Sequence, residues 1–258
     1  MAGVEVSGMA VWNHLIKAEN IPGSTRVPIS EIFEYFDGKT NGLRGLDLGS
    51  GRGRSTKILT ELLPGSSITA LDLSHSGLKL TEVQNRVQGR AEELPFLDGS
   101  FDFVNVCGVM TNIVNIDPDI AREIRKKVLS NLYSIIKPGG CVVISDFGAE
   151  HLFDGYGVNY GRHFLITGEM HTIAVLKSGE NFAGKSDNDV VAMRGTGAIE
   201  RYAHHYTLRE MTELLKNAGF NVCKCSIETT ETPVGKKTIE NIIVLAEKPK
   251  TIVGGELI

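Results

Sequence analysis

Leu43-Arg44-Gly45-Leu46-Asp47-Leu48-Gly49-Ser50-Gly51-Arg52-Gly53-Arg54-Ser55-Thr56 is the stretch whose reading decides the fold. The apolar run Leu43–Leu48 leads into three glycines at alternate positions, and a helical pattern over Ser55–Leu63 follows. That is the layout of a buried strand, a tight turn and a helix. Glycine permits positive φ and lets a ligand approach the backbone closely. The acid Asp47, just before the first glycine, would sit poorly beside a pyrophosphate but suits a ligand with an ammonium group. Arg54 stands where a dinucleotide fingerprint would place its third glycine, and no Gly-Lys-Ser/Thr follows to make a Walker loop.

Working outward, short apolar runs alternate with amphipathic ones. Strands are expected at Ser67–Leu73, near Val87–Arg90, at Phe101–Cys107 and at Cys141–Phe147. Helices are expected at Ser76–Val87 and along Ile120, Ile124, Val128, Leu132 and Ile136, stopped by Pro138-Gly139-Gly140. Thr207 caps a helix carrying Leu208, Met211, Leu214 and Leu215. Asn221–Ile227 and Asn241–Glu247 are then too close in sequence for another crossover helix and should pair antiparallel. The fold class is therefore α/β: a Rossmann-like, seven-stranded, mostly parallel sheet with helices on both faces and an antiparallel last strand pair. Residues 148–206 break the alternation and read as a lid-like insertion after strand 5. Upstream, Val11, Trp12, Leu15 and Ile16 mark one helix, and Ser30 is placed to cap a second that ends at Asp37-Gly38.

The chain of 258 residues is 41% hydrophobic and 22% charged with a net charge of −4, so nothing drives it as a whole toward nucleic acid or acidic membranes. No apolar run approaches the roughly 20 residues of a membrane span, and no basic segment followed by an apolar one opens the chain. Cys107, Cys141, Cys223 and Cys225 suggest no disulfide framework, and Cys223-x-Cys225 lacks a second Cys/His pair, so no metal is expected. A cytoplasmic setting fits these thiols.

Asp72 closes the second strand about 20 residues beyond the loop, where an acid can accept both hydroxyls of a ribose. With the loop, Gly89-Arg90-Ala91-Glu92-Glu93-Leu94-Pro95-Phe96, Asp98-Gly99-Ser100-Phe101-Asp102 and Ile136-Lys137-Pro138-Gly139-Gly140, it forms an ordered set over roughly residues 43–147. The set resembles the class I S-adenosylmethionine-dependent methyltransferases, most of all the broad branch of ubiquinone/menaquinone methyltransferases and natural-product enzymes.

The resemblance implies S-adenosylmethionine as cofactor. Gly49, Ser50 and Gly51 would line its methionine part, with Asp47 near its amino group directly or through water. Asp72 would hold the ribose, Leu73 would pack on adenine, and Ala91 and Glu92 would follow the adenine edge. Backbone at Val106 would face the methionine moiety. Two positions depart from the pattern. Relatives often carry Asp at Arg90, which cannot accept a hydrogen bond, and a His pair at Thr111-Asn112.

The insertion holds five of the seven histidines and seven of the seventeen aromatic residues. Aromatics with a few polar groups suit a pocket for a small acceptor, so Tyr156, Tyr160, Phe164 and Tyr202, with Trp12, are the candidate substrate-binding residues. His204 and His205, then His163, are the candidate general bases. The expected division is 1–40 as an N-terminal helical lid, 41–147 as the cofactor-binding core and 148–206 as the acceptor-binding insertion. Residues 207–250 complete the core and 251–258 form a tail.

The expected reaction is methyl transfer to a small-molecule acceptor through an O, N or C nucleophile. The rival readings are a methyltransferase of tRNA wobble uridines, a non-catalytic cofactor-binding module and a nicotinamide-dependent reductase. Lys plus Arg number five against six Asp plus Glu over 151–206, so nucleic acid is not an expected partner. A homodimer stays open.

Overall fold

The computed structural model describes residues 27–113, 119–148, 204–228 and 241–250 in full, and the backbone of further helix and strand segments between 118 and 257. A seven-stranded sheet carries the core. Its strands are β1 (Arg44–Leu48), β2 (Ser67–Asp72), β3 (Asn85–Gln88), β4 (Phe101–Cys107), β5 (Ile136–Phe147), β11 (Asn221–Glu231) and β12 (Thr238–Glu247). They lie in the order β11-β12-β5-β4-β1-β2-β3. β3, β2, β1, β4 and β5 run parallel, and β12 is antiparallel to both β5 and β11, as the sequence predicts.

Parallel strands buried on both faces read as nearly continuous apolar runs, and these strands do so, with Asp47, Asn105, Ser145 and Asp146 as buried polar exceptions. Leu46, Leu48, Val104, Val106, Val142 and Ile144 point to one face. There they meet Val128, Leu129 and Leu132 of α4 (Pro118–Ile135) and Met211 and Leu215 of α5 (Leu208–Asn217). Phe103, Cys141 and Val143 point to the other face. There they meet Ile32 of α1 (Ile29–Tyr35) and Leu59 of α2 (Arg54–Leu62).

Three local expectations are corrected. Helix Ser76–Val87 is only the single turn α3 (His75–Leu78), capped by Ser74 Oγ, which accepts from Gly77 N–H at 3.1 Å. β3 likewise begins at Asn85 rather than near Val87. Ser30 does not cap α1: Pro28 holds that position, and the Ser30 hydroxyl donates to Glu31 at 2.9 Å. Ile120 is 49% exposed, although it opens the four-residue stripe. Each step of four advances about 40° beyond a full turn, so a strict fourfold repeat drifts off the buried side. Val128 and Leu132 of the stripe are buried, Ile124 is half-buried, and Ala121 and Leu129 complete the face toward the sheet.

The insertion adds an antiparallel pair, β6 (Leu165–Ile166) and β7 (Glu169–Met170), and a small sheet of β8 (Thr172–Val175), β9 (Asp189–Met193) and β10 (Ile199–His204) in antiparallel order β10-β9-β8. It rejoins the core at Tyr206, whose amide donates to Phe147 O at 3.0 Å beside a parallel bridge to Gly148. The Tyr206 hydroxyl donates to Met110 O at 2.9 Å. No helix of the described residues is long and apolar enough to cross a membrane.

Candidate functional site

The site is organised at the carboxyl ends of β1, β2 and β4. Gly49, Gly51 and Gly53 all have positive φ, so the chain after β1 coils tightly over the strand ends before α2 begins. Gly49 N–H and Ser50 N–H both donate to Leu71 O, at 2.7 and 3.0 Å. Gly51 N–H donates to Asp72 Oδ2 at 2.8 Å, and Gly53 N–H to Ser50 O at 2.8 Å. These amides are spent within the fold. A pyrophosphate-binding loop needs outward N–H groups, so this loop instead offers bare Cα surface.

A side chain at Gly49 would run into Val109 Cγ2 at 2.2 Å, whereas one at Gly51 would meet nothing within 4 Å. Open space therefore stands over Gly51. Beside it Asp72 accepts from Gly51 N–H and, through Oδ1, from Ser74 N–H at 2.7 Å. Each carboxylate oxygen keeps further lone-pair capacity for ligand hydroxyls. Burial pushes the Asp72 carboxyl above its usual range, and the two amides partly oppose that shift. Ser50 Oγ is buried with no hydrogen-bond partner among the described residues.

Asp47 is fully buried behind the loop. Its carboxylate accepts from Ser55 Oγ at 2.7 Å, from Thr56 Oγ1 and from Asn105 Nδ2 at 2.8 Å. Burial raises its pKa, and these three hydrogen bonds work the other way. In this geometry Asp47 ties the loop to α2 and β4 rather than facing the open space.

Ala91 and Glu92 are held by a residue that sequence reading missed. Asn131 on α4 donates from Nδ2 to Ala91 O at 3.3 Å and to Glu92 O at 2.8 Å. A polar residue on a helix stripe was the only signal, and it is a weak one. Arg90 pairs with Glu92 at 3.2 Å, so the residue that departs from relatives engages the one expected along the adenine edge. Leu73 is half-buried at the end of β2, with its carbonyl taken by Gln88 Nε2 at 3.1 Å. Val106 lies one residue before the end of β4, bracketed in register by Leu48 and Ile144.

His204 and His205 both lie at the seam where the insertion rejoins the core. His204 is 2% exposed, its Nε2 is 2.8 Å from Glu210 Oε1, and its carbonyl accepts from Thr111 Oγ1 at 2.6 Å. His205 is buried and stacks on Phe147, with centroids 5.3 Å apart. Trp12, Tyr156, Tyr160, His163 and Phe164, and the side chain of Tyr202, lie outside the described residues.

A family profile described as a methyltransferase domain matches residues 46–144, from β1 to β5. Residues 46–144 are thus similar to a methyltransferase domain. Among curated proteins it is similar to a ubiquinone/menaquinone biosynthesis C-methyltransferase of Psychromonas ingrahamii, 29% identical over 152 residues. That match spans 51% of this chain and 57% of the relative. Among solved structures, an S-adenosylmethionine-dependent methyltransferase of Methanosarcina mazei superposes with a TM-score of 0.63 at 21% identity, covering 87% of this chain and 98% of that one. A 1,6-didemethyltoxoflavin-N1-methyltransferase of Burkholderia thailandensis, with bound 1,6-didemethyltoxoflavin and S-adenosylhomocysteine, gives 0.52 at 18% identity over 85% and 77%. These two likenesses establish a shared fold.

Proposed function

We propose that the chain transfers a methyl group from S-adenosylmethionine to a small-molecule acceptor. The observation that carries this reading is the loop itself: its amides are spent internally, space is open over Gly51, and the Asp72 carboxylate stands at the edge of that space. Such a surface accepts a nucleoside joined to an amino acid better than a pyrophosphate.

The residues present fit the cofactor. Asp72 holds the ribose hydroxyls, and Gly49, Ser50 and Gly51 take the methionine part. Leu73, Ala91, Glu92 and backbone near Val106 line the rest, and Ser50 Oγ offers a buried polar atom with unspent hydrogen-bonding capacity. When bound, the cofactor supplies an electrophilic methyl group on a sulfonium sulfur.

The chain's own task is to align the acceptor and exclude water, because an in-line displacement gains most from orientation. Residues 41–147 with 207–250 bind the cofactor, the N-terminal segment around Trp12 and residues 148–206 enclose the acceptor, α1 braces the sheet instead of forming part of the expected 1–40 lid, and 251–258 is a tail. Trp12, Tyr156, Tyr160, Phe164 and Tyr202 contribute to that enclosure. His204, His205 or His163 takes up a proton where the acceptor must lose one. The enclosed placement of His204 and His205 suits a water-poor site.

Incubation with methyl-labelled S-adenosylmethionine and a metabolite extract, followed by mass spectrometry, tests this reading. A labelled small molecule is the expected product. Label in the tRNA fraction alone, or no transfer, contradicts it.

A further inference from the structure

Arg125 is 4% exposed, yet among the described residues its guanidinium makes one hydrogen bond, from Nε to Ile113 O at 3.0 Å. Its other contact is with the ring of Tyr206, whose centroid lies 5.9 Å away. Among the described residues no carboxylate pairs with it. A buried guanidinium is costly unless its charge and donors are met, and neither Nη amino group has a hydrogen-bond partner among the described residues.

Its position gives that surplus a use. Ile113 ends the turn that starts at Val109, and Val109 is the residue packed against Gly49 of the cofactor loop. Met110 in the same turn accepts the Tyr206 hydroxyl, and Thr111 holds the carbonyl of His204. Arg125 thus stands under a turn that links the glycine loop to the seam of the insertion. A guanidinium presents its Nη donors as a rigid planar fork that matches a carboxylate with two parallel hydrogen bonds.

We infer that Arg125 binds a carboxylate on the methyl acceptor, which makes the substrate class a small carboxylic acid. This rests on the reading of the chain as a methyltransferase. A role in stability alone, through Ile113 O and the Tyr206 ring, is the competing account.

The test uses the full chain saturated with S-adenosylhomocysteine and titrated with benzoate and phenylacetate, with benzamide and phenylacetamide as neutral counterparts of the same shape. The wild type should prefer the acids at least tenfold. Arg125→Met should abolish that preference and Arg125→Lys, which keeps the charge without the fork, should reduce it. Affinity for S-adenosylhomocysteine should be the same in all three. Should Arg125→Met fail to fold, the reduced preference of Arg125→Lys carries the test. Equal binding of acid and amide, no binding of either acid by the wild type, or an acid preference unchanged in the variants overturns the inference. Failure to bind S-adenosylhomocysteine strikes the methyltransferase reading instead.

Discussion

The amide of Gly51 donates to Asp72 Oδ2 at 2.8 Å, which fastens the loop after β1 to the end of β2. One contact thereby sets both the shape of the loop and the aim of the carboxylate. Gly51 and Gly49 should then respond differently to the same change. Gly51→Ala meets open space and carries mainly the strain of its φ of +56°, about 1–2 kcal/mol. Gly49→Ala adds a collision with Val109 at 2.2 Å. Thermal denaturation should show a small loss for the first and a large one for the second. Calorimetry should show that Gly51→Ala nonetheless loses most of its affinity for S-adenosylhomocysteine.

Asn131 should matter to ligand affinity more than to folding. Asn131→Ala removes the donor shared by the Ala91 and Glu92 carbonyls and frees the segment expected along adenine. A neutral hydrogen bond contributes about 1 kcal/mol, so affinity should fall about fivefold. The melting temperature should move by only a few degrees. An unchanged affinity would remove this segment from the cofactor site.

Tyr206→Phe deletes the hydroxyl that reaches Met110 O in the buried seam. Leaving that carbonyl without its donor should cost about 1–3 kcal/mol in urea denaturation. Wild-type stability in this variant would mean that the seam is held by packing alone.

Asp47 makes stability depend on pH in a definite direction. Burial raises its folded pKa above the unfolded value, so the folded state holds the proton more tightly. Its contribution is therefore fully present below the unfolded value, about 3.9, and is lost as pH rises through the higher folded one. Asp47→Asn cannot titrate. The melting temperature of the wild type minus that of Asp47→Asn should shrink as pH rises above about 4, and a difference that grows instead would contradict the assignment.

Much of the core was legible because its signals are local. The apolar runs of β1, β4 and β5, the glycine spacing and the Thr207 cap, whose hydroxyl accepts from Glu210 N–H at 3.1 Å, each follow from nearby residues. What escaped depends on distant partners. Asp47 looks like a ligand-facing acid until Asn105, 58 positions away, is seen to occupy it. Asn131 and Arg125 looked like ordinary helix residues because the carbonyls they serve come from other segments. His204 and His205 were singled out by clustering, and their enclosure comes from the way β10 re-enters the fold.

The central claim is that Gly51 and Asp72 receive S-adenosylmethionine, and calorimetric titration of the wild type and of Asp72→Ala with S-adenosylmethionine and with NAD tests it most directly. The account predicts binding of S-adenosylmethionine by the wild type, at least a tenfold loss in Asp72→Ala, and no heat with NAD. Equal affinity in the two proteins, or binding of NAD in place of S-adenosylmethionine, would contradict it.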